Sequence, residues 1–225
     1  MIIYAIGDIH GMSDKFAMLR QFIDEQEDAD ETIILGDLVD RGPDSKGVFD
    51  LIRDTDVVIR GNHEELMESW ANSLDYGVWL NNGGFDTLNS FGTRNKNELI
   101  KMIRSYSWWK RMVDFHQIGR YYFCHAGIDP NVSLKNQNPE TLRWIRRKFL
   151  ISDGPFENDI CVVHGHTIFK DGPYHRHHII SLDTGCYDTG KLTAGRIDVE
   201  NDSVTFFQTG QFGVKEVEPK TKFIS

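Results

Sequence analysis

Five times along this chain an apolar run stops at a glycine and at polar residues able to hold a metal ion or a phosphate. The endings are Asp8-Ile9-His10, Asp37 with Asp40-Arg41, Arg60-Gly61-Asn62-His63-Glu64, His125-Ala126-Gly127 and Gly165-His166-Thr167. One such ending is readily explained as a turn or a helix cap. Five in one chain ask for a common purpose. Asp8 and His10 stand two residues apart, so in an extended segment their side chains project to the same side and can grip one ion. The donors are carboxylate, imidazole and amide, with no thiolate. That mix suits Mn²⁺, Fe or Zn²⁺ and disfavours a closed structural zinc site.

The elements that must position these residues follow from hydrophobic period. Met1 to Ile6 reads as a strand broken at Gly7, and Phe16, Leu19, Phe22 and Ile23 recur at helical spacing within Ser13–Glu27, with Ser13 at the N-cap. Ile33-Ile34-Leu35 is a short apolar run ending at Gly36, the pattern of a strand buried on both faces of a parallel sheet. A helix opens at Asp44 or Ser45, and a third strand covers Asp56–Arg60. Strand, helix, strand, helix, strand at this spacing predicts right-handed βαβ units, whose ligand sites lie beyond the carboxyl ends of the strands.

From about 65 to 113 the period is helical, interrupted by Trp79-Leu80-Asn81-Asn82-Gly83-Gly84-Phe85, and no linker separates it from the rest. It is expected to be an insertion capping the core of a single domain spanning 1–225. Strands are expected at Arg120–Cys124 and Ile160–Val163, with a helix at Thr141–Leu150 between them. The last third is strand-rich, with a loose polar tail from Lys215 to Ser225. The run Tyr174-His175-Arg176-His177-His178 reads as a solvated loop. Trp79, Trp108 and Trp109 read as packing residues rather than a base-stacking platform.

Composition narrows the function. The chain has 225 residues, 40% of them apolar, and a net charge of −9. No apolar run is long enough to span a bilayer, and the charge argues against nonspecific binding to duplex nucleic acid, which needs a basic footprint. The N-terminus lacks a basic export signal, so the expected location is the cytoplasm. Cys124, Cys161 and Cys186 are too few and too unevenly spaced for a disulfide framework and are expected to be reduced and buried.

Taken in order, the five endings resemble the motifs of the PPP-type metallophosphoesterases over Ile6 to roughly Thr193, most closely the compact bacterial and bacteriophage members. Those include Ser/Thr phosphatases and symmetrical dinucleoside tetraphosphate hydrolases. The resemblance implies an α/β fold, a four-layer αββα sandwich of mixed sheets, with two divalent metal ions about 3.5–4 Å apart. It implies Mn²⁺ first, with Fe or Zn²⁺ as alternatives. Asp8, His10 and Asp37 would hold one metal; Asp37, Asn62, His125 and His166 would hold the other. A hydroxide between the metals would attack phosphorus in line. His63 would be the general acid with Asp40 on its ring, and Arg41, Arg60 and Arg146 would bind the phosphate. Arg146 rests on the short pattern Trp144-Ile145-Arg146, beside Arg143 and Arg147, and His164 stands two residues before His166 as a rival ligand.

The substrate implied is a phosphorylated protein or peptide, through phosphoserine and phosphothreonine. The alternative is a small phosphoester of the dinucleoside polyphosphate kind. A catalytically dead phosphopeptide-binding protein is a third reading, and it would be expected to have lost a ligand or the acid; here every matched position is filled.

Overall fold

The computed structural model describes residues 1–72, 77–152 and 154–221. The chain opens as β1 (Ile2–Ile6), α1 (Ser13–Gln26), β2 (Glu31–Ile34), α2 (Ser45–Leu51), β3 (Val57–Val58) and α3 (Asn62–Ala71). A π-helical turn at Leu80–Gly84 leads into α4 (Phe85–Ser90) and α5 (Lys96–Ile103), followed by a 3-10 turn at Trp108–Arg111. Then come β4 (Phe115–Ile118), β5 (Tyr121–Cys124), α6 (Pro139–Trp144), α7 (Arg147–Leu150), β6 (Cys161–His164), β7 (Tyr174–Arg176) and β8 (Ile179–Ser181). The chain closes with α8 (Cys186–Thr189), β9 (Thr193–Asp198), β10 (Ser203–Thr209) and β11 (Val214–Val217).

The strands form two mixed sheets, in the orders β11-β10-β9-β1-β2-β3 and β4-β5-β6-β8-β7. Strands β1, β2 and β3 run parallel, as do β5, β6 and β8. Alternation along each strand builds the layers. Ile3 and Ala5 face Tyr121, Phe123 and Val163 across the space between the sheets, while Tyr4 and Ile6 turn outward to Phe16, Leu19, Val48 and Phe49 of α1 and α2. On the second sheet Tyr122, Cys124 and Val162 turn outward under Leu142 and Phe149 of α6 and α7. The result is the expected helix–sheet–sheet–helix sandwich.

Several local expectations are corrected. Ser13 does not cap α1: the helix already begins at Ser13, Met12 holds the cap position without a side-chain cap bond, and the Ser13 hydroxyl donates to Asp44 Oδ2 at 2.6 Å. The third strand is shorter than Asp56–Arg60, with Ile59 making only an isolated bridge to Val113. The helix expected at Thr141–Leu150 is two helices, broken where Ile145 is extended and Arg146 leaves helical backbone angles. Strand β4 was not anticipated. Tyr174–Arg176 forms an edge strand on β8, not a loop, with His177 at φ 43° making the turn. The tail is tied down through Val214–Val217 on β10, and Lys220 bridges Tyr174. Residues 222–225 of that tail lie outside the described residues.

Candidate metal centre and active site

Because β1, β2 and β3 are parallel within one sheet, and β5 and β6 within the other, the segments after each strand leave on the same side. Gly7–His10, Leu35–Arg41, Arg60–His63, His125 and Gly165–His166 therefore converge. Close approach has a requirement at Gly165, where any Cβ would collide with Asp8 Oδ1, and at Gly61, where it would collide with Asp37 Oδ1. These two glycines let the backbones lie against the carboxylates. The non-glycine backbone is also bent here. Ten described residues other than glycine have positive φ, and five of them are His10, Asp37, Asp40, Arg41 and His166. Each costs on the order of 1 kcal/mol or more, so half of this strain is concentrated at one place.

Asp37 is the hub. Its Oδ2 lies 3.5 Å from His10 Nε2 and 4.0 Å from His63 Nε2, and its Oδ1 lies 3.4 Å from His125 Nε2. Ligand atoms of His10, Asp37 and His63 fall within 4.8 Å of one another, as do those of Asp37, His125 and His166. Asp37 alone belongs to both groups. Asn62 joins the second, its Oδ1 2.9 Å from His125 Nε2. Asp8 stands beside them, accepting the His166 backbone N–H at 3.1 and 3.0 Å. All of these side chains are buried.

The imidazoles of His10 and His125 are set with Nε2 inward. His10 Nδ1 contacts Val39 O at 2.8 Å and His125 Nδ1 contacts Leu35 O at 2.6 Å. A backbone carbonyl can only accept, so each Nδ1 carries a proton and each Nε2 is turned toward the Asp37 carboxylate. Burial, reinforced by neighbouring positive charge from His63 and Arg41, pushes His10 down to about 3. Burial, with His125 and Arg146, pushes His166 down to about 2. His166 Nε2 is buried without a hydrogen-bond partner. An orphaned, neutral imidazole nitrogen beside a shared carboxylate fits a divalent cation. Asp37 is held well below the ordinary carboxylate range: burial opposes its charge, and the positive charges of His125 and His63 outweigh burial.

His63, a member of the first group, also has a carboxylate partner on its other ring nitrogen. Its Nδ1 lies 2.6 Å from Asp40 Oδ2. Burial disfavours the imidazolium, but Asp37 and Asp40 outweigh it and raise the His63 pKa. Arg41 Nη1 lies 2.9 Å from His10 Nε2, and Arg146 Nη1 donates to His166 O at 3.2 Å. The break between α6 and α7 is what aims Arg146 here. Arg143 pairs instead with Glu65 and Asp114. Arg60 departs from the expectation: its guanidinium is paired with Glu68 and lines an adjoining cleft with Arg143. His164 is turned away from the ligand groups, to Ser181 Oγ at 2.5 Å and Gly165 O at 2.9 Å.

Sequence reasoning missed the residues that brace these groups. Glu64, named within a motif but given no role, accepts the backbone N–H groups of Asp37, Leu38 and Gly61 at 3.0, 2.8 and 2.9 Å. Trp79 was read as packing alone, yet its indole N–H donates to both oxygens of Asp40, at 3.0 and 2.9 Å. Thr87 Oγ1 donates to Asp40 Oδ1 at 2.7 Å. Asp183 lies against Asp8, and burial lifts it to about 6.

This geometry has known counterparts. The family model for calcineurin-like phosphoesterases matches residues 1–199. The chain belongs to the calcineurin-like phosphoesterases. Within that family it is 28% identical to serine/threonine-protein phosphatase 1 of Salmonella typhimurium, across 87% of this chain and 91% of that protein. It is 31% identical to a symmetrical bis(5'-nucleosyl)-tetraphosphatase of Nitrosospira multiformis, across 60% of this chain but only 46% of that protein. Among solved structures, a metallophosphoesterase from Sphaerobacter thermophilus has the same fold, with a TM-score of 0.56 at 16% identity over 98% of this chain and 90% of that one. A calcineurin-like phosphoesterase uses divalent metals, and the two His/Asp groups around Asp37 are the places that fit them.

Proposed function

We propose that the chain is a metal-dependent phosphatase acting on phosphoserine and phosphothreonine of proteins. The carrying observation is that one carboxylate, Asp37, is shared by two ligand groups, and that His63, which falls in the first of them, is also paired through Nδ1 with the buried carboxylate of Asp40. His10, Asp37 and Asp8 would hold one cation, and Asp37, Asn62, His125 and His166 the other, with Mn²⁺ ahead of Fe or Zn²⁺. Cations held there would supply Lewis-acid charge and a water acidified enough to attack phosphorus.

The chain's own residues supply the rest. Arg41 and Arg146 flank the ligand groups with guanidinium donors suited to phosphate oxygens and to the charge that grows on them. Arg60 would have to leave Glu68 to join them. His63, held by Asp40 through Nδ1, presents Nε2 to the leaving oxygen and gives it a proton, releasing a serine or threonine hydroxyl. Asp40 orients the ring and favours its charged form. Residues 65–113 act as a helical insertion of one 1–225 domain, and they reach the chemistry through Trp79 and Thr87.

One observation favours a peptide over a dinucleotide. Length of match does not separate the two, because a relative named asymmetrical bis(5'-nucleosyl)-tetraphosphatase, of Anoxybacillus flavithermus, matches over 97% of this chain and 99% of that protein, and the protein phosphatase over 87% and 91%. The adjoining cleft, about 450 Å³, is lined by Arg60, Glu65, Glu68, Asp114 and Arg143 among others, with no aromatic ring among its described lining residues to stack a base. Symmetrical dinucleoside tetraphosphate hydrolysis is the second reading, on the 31% identity to that relative. No described helix is long and apolar enough to cross a membrane. Three buried unpaired cysteines suit action in the reducing cytoplasm. The test is kcat/KM with Mn²⁺ for a phosphoserine peptide, a phosphotyrosine peptide and diadenosine tetraphosphate, side by side. The phosphoserine peptide is expected to lead; a clear lead for the dinucleotide would overturn the reading.

A further inference from the structure

Arg41 has an unusual setting for a buried-edge guanidinium. Among the described ion pairs no carboxylate holds it; its neighbours are His10 Nε2 at 2.9 Å and the face of Tyr187, whose ring centroid lies 4.8 Å from the guanidinium carbon. The same ring meets His10 edge-on at 5.3 Å and 86°. A carboxylate would fix Arg41 by consuming its N–H donors and cancelling its charge. An aromatic face fixes the plane of the guanidinium and leaves the in-plane donors free.

Tyr187 is itself held firmly. It sits in the single turn α8, bounded by Gly185 and Gly190, both at φ 68°. Thr189 Oγ1 ties that turn to Thr184 O at 2.9 Å and Gly185 O at 3.0 Å, and Thr184 Oγ1 donates to Lys191 O at 2.7 Å. The ring is therefore presented by a braced loop from the far end of the chain.

We propose that Tyr187 is a positioning residue that orients Arg41 as a phosphate clamp, so that substrate and product phosphate are gripped through a guanidinium pre-set by an aromatic plate. This rests on the phosphate-binding role given to Arg41 above. The probe is inorganic phosphate as a competitive inhibitor of phosphoserine-peptide hydrolysis by the Mn²⁺-loaded full chain. Tyr187→Leu is expected to raise the phosphate inhibition constant and KM by about 3- to 30-fold, the span of a partly to fully desolvated cation–π contact, with a smaller change in kcat. Tyr187→Phe is expected to restore phosphate affinity, since the π face carries the effect. In an Arg41→Ala background, Tyr187→Leu should add nothing further. Bound Mn²⁺ per chain, measured by elemental analysis, should be the same in all four proteins.

If Arg41→Ala weakens phosphate binding and Tyr187→Leu does not, the Tyr187 inference fails while the site assignment survives. If Arg41→Ala has no effect on phosphate, the site assignment fails first. A loss of Mn²⁺ in Tyr187→Leu, or a Phe variant as impaired as Leu, would also overturn the proposal.

Discussion

Thr87→Val isolates the link between the helical insertion and the chemistry. Thr87 is buried on α4; its hydroxyl donates to Asp40 Oδ1 at 2.7 Å and accepts from Asp40 N at 2.9 Å. Valine has nearly the same shape, so the change removes both hydrogen bonds to Asp40, and a third with Ser45 Oγ at 3.2 Å, without opening a cavity. Asp40 N keeps a weaker acceptor in Ser45 Oγ at 3.3 Å, and the carboxylate keeps Trp79 and His63. The loss is then dominated by one bond to a charged group, about 1.5–3 kcal/mol, which for a chain of this size corresponds to a fall in Tm of roughly 3–12 °C. Part of that loss appears as a looser His63. Forfeiting about 1–2 kcal/mol of acid positioning lowers kcat about 5- to 30-fold, but only where the leaving group needs a proton. The assay is therefore a ratio, kcat on a phosphoserine peptide against kcat on p-nitrophenyl phosphate, whose leaving group hardly needs an acid. Thr87→Ser, which keeps the hydroxyl, should restore both stability and the ratio. An equal loss on both substrates, or an unaltered melting curve, would refute the claim that Thr87 acts through Asp40.

Two other perturbations test the metal centre. Gly165→Ala drives a methyl into Asp8 Oδ1 and should weaken Mn²⁺ binding by about 10- to 100-fold in calorimetric titration, the usual effect of disturbing the surroundings of a ligand; unchanged affinity would place Asp8 outside the metal site. Asp183 titrates near 6 when folded, raised first by burial, against 3.8 ordinarily. The folded state thus keeps a proton that the unfolded chain has shed, and Asp183 loses stability as pH rises through that window. In chelator-treated protein, the stability of Asp183→Asn relative to the parent should therefore increase from pH 4 to pH 7, by on the order of 3 kcal/mol at most. Urea melts at the two pH values check it, and a stability of Asp183→Asn relative to the parent that falls as pH rises contradicts it.

What could be read from the sequence was set by locality. Asp8, His10, Asp37, Asn62, His63, His125 and His166 were legible because each ends its own apolar run, and parallel strands carry such endings to one side. The braces were illegible because their partners are distant in the chain. Trp79 and Thr87 stand 39 and 47 residues from Asp40, and a buried Trp or Thr in a helical stretch looks like core until its polar atom is located. Arg60 and Arg146 diverge for a related reason: a motif places the Cα, while Glu68 and the bend at Ile145–Arg146 decide where each guanidinium goes. Edge strands such as Tyr174–Arg176 and Val214–Val217 carry too few apolar residues to be told from loops.

The same residues show why this site belongs with cations. Asp8, Asp37, Asp40, Glu64 and Asp183 are buried near one another. Burial, with repulsion from Asp183 and Asp37, pushes Asp8 upward; burial, with repulsion from Asp37, pushes Asp183 upward; and burial pushes Asp40 and Glu64 upward. The available positive charge is thin: His10 and His166 are pushed down to about 3 and 2, and Arg60 and Arg143 are paired elsewhere. His63 and His125 are drawn upward mainly by Asp37. Protons alone would satisfy these carboxylates only by neutralising the groups that the chemistry needs ionised. Two dications sharing Asp37 would restore charge balance with the ligands deprotonated. The left-handed backbone at His10, Asp37, Asp40, Arg41 and His166 would then have a physical rationale, as strain that turns each side chain toward the place the cations and a phosphate would occupy.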